Sequence, residues 1–102
     1  MGRLEMLKEH LAEYPNDAFG RYGLAMEHAN AGNHEAALAE FATLLKDNPD
    51  YTAGYFMAAQ TLAKIGKVAE ARAMLTTGIA SAERTNNAHA KSEMEGMLVE
   101  LG

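Results

Sequence analysis

The chain has 102 residues, 48% of them hydrophobic and 23% charged, with two prolines and no cysteine. That suffices for one domain with a modest core; it excludes a disordered chain, disulfides and thiolate metal sites. The net charge of −5, with no run of lysine or arginine, has the wrong sign for a phosphate backbone, so no nucleic-acid partner is expected.

Abundant alanine and scarce β-branched residues favour helix throughout. The opening stretch "MGRLEMLKEHLAEYP" carries Leu4, Leu7 and Leu11 as an apolar stripe, which predicts a helix over 3–14 closed by Pro15. Its charges recur every three or four residues, unlike a leader peptide, and Met6 stands where a myristoylation motif needs Ser or Thr. No stretch approaches the roughly 18 apolar residues of a membrane span. The default expectation is a soluble, cytoplasmic protein with no membrane partner.

Asn16 or Asp17 can cap a second helix over 18–30, with Leu24, Ala25 and His28 on one face. Gly32 then sits where a left-handed residue stops a helix. A third helix follows over 34–46, with Ala37, Leu38, Phe41, Leu44 and Leu45 as its stripe, and "DNPD" ends it. Helices over 52–64 and 68–82 repeat the pair. "RTNNA" then breaks the chain before a last helix over 88–101, whose stripe is Ala90, Met94, Met97, Leu98 and Leu101.

The middle four helices are one sentence written twice. "AGNHEAALAEF" (Ala31 to Phe41) returns as "IGKVAEARAML" (Ile65 to Leu75), and the offset of 34 residues also pairs Pro15 with Pro49, Gly20 with Gly54, and Tyr22 with Phe56. Ala25 with Ala37, and Ala59 with Ala71, are small enough to let two helix backbones approach closely. Phe41 and Leu75 fill the wider space beyond.

On these residues the chain resembles the tetratricopeptide repeat (TPR) family, whose unit is a 34-residue helix–turn–helix with small and large residues at set positions. Leu24, Ala25, Gly32, Ala37, Phe41 and Pro49 match the pattern; Ala59, Gly66, Ala71 and Leu75 match it again. Ala58 replaces the leucine of the second unit, Glu83 replaces its proline, and His28 and Leu62 occupy the usual tyrosine position. The resemblance implies an all-α, right-handed superhelical solenoid of antiparallel hairpins, about six helices in one domain. Residues 18–51 and 52–85 are the two repeats, 3–14 the second helix of a preceding unit, and 88–101 a capping helix. The last stripe lies one residue late, and Glu93 falls on a packing position of the strict repeat register.

In the family, the first helices of successive hairpins line a concave groove for peptides or partner helices. Transferred position by position, that groove takes Phe19, Tyr22, Met26 and Asn30 from the first unit. Ala53, Phe56, Met57, Gln60 and Lys64 come from the second. The same stripe can instead be buried under the capping helix or by a second copy of the chain. Members that clamp a chaperone carboxyl terminus use lysine, asparagine and arginine here; Tyr22, Met26 and Met57 supply none of these, so that ligand is not expected.

The four histidines lie on separate segments without ligand spacing. "HEAAL" opens like a zinc-protease helix, but Leu38 stands where the second histidine must be. His28 is expected to pack between helices, with His10, His34 and His89 solvated. No nucleophile–histidine–acid grouping, phosphate loop or dinucleotide motif occurs, and an enzyme using His28 with Glu27 is the remote reading. The expectation is therefore a non-catalytic protein–protein interaction module, a scaffold without metal or cofactor, whose partner is an unidentified protein or peptide. The alternative is a self-associating structural subunit, a homodimer built on the same face.

Overall fold

The structure, a computed structural model, describes residues 2–102. Six α-helices and no strands make up the described residues: α1 (Arg3–Glu13), α2 (Ala18–Asn30), α3 (His34–Asp47), α4 (Thr52–Lys64), α5 (Val68–Arg84) and α6 (Ala88–Leu101). Each helix packs mainly on its neighbours in the chain, and α4 also touches α2 and α6. This is a helical-repeat solenoid. Among the described residues no helix is long and apolar enough to cross a membrane.

Two kinds of turn alternate between the helices. After α2 and α4 the chain passes through Gly32 (φ 82°) and Gly66 (φ 79°), in the left-handed region that glycine enters without a Cβ clash. At both, a following amide reaches back to close the helix end, Asn33 N–H to the His28 carbonyl and Lys67 N–H to that of Leu62. The turns after α1 and α3 carry Pro15 and Pro49 instead. There Arg21 Nη2 donates to the Pro15 carbonyl (3.0 Å) and Tyr55 Oη to the Pro49 carbonyl (2.7 Å). Arg21 and Tyr55 occupy the same repeat position, so two different side chains tie down one loop carbonyl.

The turn after α5 departs from this alternation. Where a proline turn is due, α5 runs on to Arg84, two residues beyond its expected end, and Asn86 takes the left-handed conformation (φ 56°). Asn87 N–H then reaches the Ala82 carbonyl, as at the glycine turns, and the Asn87 side chain caps α6 by accepting from Ala90 N–H at 3.1 Å. The prolonged helix brings its end onto the start of α4. Thr52 and Ser81 share a buried hydrogen bond of 2.9 Å, and Arg84 donates twice to Asp50 Oδ1 (3.0 and 2.6 Å). That guanidinium holds the Asp50 carboxyl below its ordinary range.

The core is two adjoining clusters that meet on α4. Ala25, Ala37, Phe41, Leu44 and Ala58 form the first; the second includes Ala59, Leu62, Ala71, Leu75 and Met94. The four expected small residues at the helix crossings are fully buried, and Phe41 and Leu75 fill the space beside them. Met94 is also fully buried, worth about 1.5–3 kcal/mol to the attachment of α6. It fits because Gly78 leaves a notch in α5: a Cβ there would stand 2.6 Å from both Met94 Sδ and Tyr55 Cβ. The first unit has buried Leu44 at the same position.

Candidate functional site

Three helices, α2, α4 and α6, stand side by side on one face of the solenoid. Between them run two adjoining hollows of about 300 and 340 Å³. The first is lined by Tyr22 from α2, Ala53, Phe56 and Met57 from α4, and His89, Ala90 and Glu93 from α6. The second continues along Phe56, Gln60, Ser92, Glu93, Gly96, Met97 and Glu100. Phe56 and Glu93 belong to both, so the two hollows form one furrow between α4 and α6.

Of the nine residues expected on this face, the structure brings Tyr22, Ala53, Phe56, Met57 and Gln60 into the hollows. Phe19 is exposed but lines neither; Asn30 and Lys64 are exposed at the far ends of α2 and α4. Met26 is half-buried against the first core cluster. Tyr22 has a double allegiance: its ring lies 5.3 Å from Tyr51 and edge-on to Phe41 at 6.4 Å. Burial pushes its phenol above the usual tyrosine range. Tyr22 therefore serves both the open face and the core packing.

The contribution of α6 was not legible as such in the sequence. Its core stripe was, but the adjoining face, His89, Glu93, Gly96 and Glu100, also recurs at helical spacing and forms a wall of the furrow. Glu93, on a packing position in the strict repeat register, is exposed, because the altered turn carries Met94 into the core in its place. α6 lies beside α4, without close backbone approach to α2, and so flanks the furrow.

A further apolar hollow, about 500 Å³, opens on the other side between α3 and α5, floored by Tyr55, Ala58 and Leu62. On its floor Ala58 stands where the first unit has the larger, buried Leu24.

The histidines depart in part from expectation. His28 is buried between helices as expected, its Nδ1 without a hydrogen-bond partner. His34, expected to be solvated, also keeps a buried, unpartnered Nδ1. His10 lies 2.6 Å from Asp17 and, ahead of the nearby Gly20 and Phe19 amides, holds that carboxyl below its ordinary range, although the expected α2 cap makes no side-chain cap hydrogen bond. His89 is exposed and faces Glu93 at 3.3 Å. Among the described residues no three His, Asp or Glu side chains group so as to hold a metal ion.

The sequence profile of the tetratricopeptide repeat matches residues 28–92, more than half of the chain. The chain belongs to the tetratricopeptide repeat family. A TPR repeat-containing protein of Pseudomonas aeruginosa is 29% identical over 98 residues, covering 96% of this chain and 93% of its own. The solution structure of a TPR domain protein from Salinibacter ruber superimposes with a TM-score of 0.81 at 29% identity, over 85% of this chain and 88% of that one. The TPR2B domain of yeast Sti1, solved in complex with pHsp70, gives 0.90 at 18% identity over 96% of this TPR protein and 78% of the domain, a likeness of fold alone.

Proposed function

We propose that this TPR protein is an interaction module that takes a peptide or helical segment of a partner protein in the furrow between α4 and α6, extending toward Tyr22. The observation that supports the reading is the position of Phe56. Its half-buried ring lines both hollows and is flanked by Met57, Ala90 and Met97. An aromatic ring with flexible methionines around it suits adaptable apolar recognition. The Sti1 domain of the same fold is itself seen in complex with a protein partner. Nothing in the residues converges on catalysis.

The test is a peptide-display selection on the folded protein, with binders mapped by amide chemical shifts. Shifts centred on Phe56, Gln60 and Met97 are expected. Phe56→Ala should weaken the selected binders by about 2 kcal/mol or more, as for a buried aromatic anchor, and leave the helical spectrum intact. Shifts centred on Met74 and Leu38 instead would move the site to the α3–α5 side. A mass that doubles on concentration, and returns to monomer in the Phe56→Ala protein, would assign the face to a homodimer.

A further inference from the structure

The furrow's walls differ in charge. Glu93 and Glu100 both line it, seven residues apart on α6, about 10 Å along the helix axis. No lysine or arginine lines either hollow. Lys64, the one cation among the nine residues expected on this face, is exposed at the end of α4 and forms no ion pair among the described residues. Glu100 likewise has no basic partner among the described residues, and the neighbour of Glu93 is the exposed imidazole of His89, a cation only when protonated. Some carboxylates outside the furrow are paired, Glu27 with Arg3, Glu40 with Arg21 and Glu83 with Lys91, whereas others such as Glu5, Glu9 and Glu95 form no ion pair among the described residues.

We infer that the occupant of the furrow is a basic amphipathic segment: apolar side chains seated against Phe56 and Met97, with lysine or arginine along the flank that meets Glu93 and Glu100. The inference rests on the proposed use of this face and adds the chemistry of its partner. Charge complementarity carries it. An apolar floor bordered by acids on one wall rejects a segment with acids on that flank, because like charges brought together over a desolvated surface are costly. The net charge of −5 acts in the same sense at longer range, raising the encounter rate of a basic segment.

The test uses two synthetic helical peptides with the same leucine pattern, one with lysine at every polar position and one with glutamate, titrated by fluorescence anisotropy at low and high salt. The lysine peptide should bind at least about tenfold more tightly, and salt should erode the difference. Glu93→Gln with Glu100→Gln should reduce the preference to within about twofold while binding persists. Glu5→Gln with Glu9→Gln, exposed acids on α1 away from the furrow, should leave the preference intact. Equal affinity for the two peptides would overturn the inference. So would a preference lost equally in the α1 variant, since it would then report net charge alone. If Phe56→Ala abolishes binding in these cases, the furrow is still the site and only its charge preference is wrong. If Phe56→Ala changes nothing, the furrow reading fails, and the inference with it.

Discussion

Gly78 and Gly96 both lie inside helices, and replacing each by alanine should have opposite results. Alanine in a helix interior is favoured over glycine by about 1 kcal/mol, because it loses less backbone freedom on folding. At Gly96 nothing stands within 4 Å of a new Cβ, so that gain should appear whole. At Gly78 the Cβ would meet Met94 Sδ and Tyr55 Cβ at 2.6 Å, about 0.8 Å short of the 3.4 Å where ordinary contact begins. Met94 is fully buried and cannot swing out, and Tyr55 Cβ is fixed to the α4 backbone. The helices must separate, at the upper end of the roughly 1–3 kcal/mol that overpacking costs. The net expectation is a loss of about 1–2 kcal/mol for Gly78→Ala and a gain of about 1 kcal/mol for Gly96→Ala. Urea denaturation followed by far-ultraviolet circular dichroism would show the midpoints moving apart with unchanged slope. In a Met94→Ala background, where one of the two obstructions is gone, Gly78→Ala should cost less. If both single variants raise the midpoint alike, α5 does not approach α4 and α6 as closely as described, and the notch explanation is wrong.

The helix crossings give a parallel test: Ala37→Leu and Ala71→Leu should each cost about 1–3 kcal/mol in denaturation midpoint, whereas Ala39→Leu, on an exposed position, should change little. His28→Leu should hold or raise stability, by up to about 1 kcal/mol, since it removes an unpartnered buried nitrogen and restores the leucine-type packing of Leu62; a melting temperature lower by several degrees would mean that the imidazole has a partner. The Asp50 carboxyl is held below the ordinary carboxylate range by Arg84, so its contribution is fully present above the unfolded pKa and is lost as pH falls through the folded one. Asp50→Asn should therefore flatten the acid limb of the stability profile below about pH 4 and leave its shape at neutral and basic pH unchanged; superimposable acid limbs would dismiss the pair.

The central hairpins were legible because each boundary has a local cause. Gly32, Gly66, Pro15 and Pro49 mark the turns by backbone conformation alone, and the apolar periods name the buried faces. What was not legible depends on contacts between segments. Nothing local to "RTNNA" says that Asn86 will imitate a glycine turn, or that α5 will extend to dock Arg84 beside Asp50. The notch at Gly78 acquires meaning only once Met94 and Tyr55 are seen to occupy it. The acidic wall of the furrow was hidden for the same reason: α6 was read for its apolar stripe, and its other face has significance only beside Phe56 and Gln60. Tyr22 shows the limit of transferring positions from one repeat to another, since its ring is committed to Tyr51 and Phe41 as well as to the open face.

Among the described residues, every pair of helices in contact is either consecutive in the chain or separated by one other helix. Nothing joins α1 to the last hairpin, so no long loop must close before native contacts begin to repay its entropy. Folding should then be fast for a chain of this length, in the microsecond-to-millisecond range of proteins built from sequence-near contacts. It can start at one hairpin, with α4–α5 the most extensively packed, and spread outward by adding neighbours. The ends are correspondingly independent. Hydrogen exchange should report α1 opening without α5 and α6, and protection rising toward α4, the helix that both core clusters share.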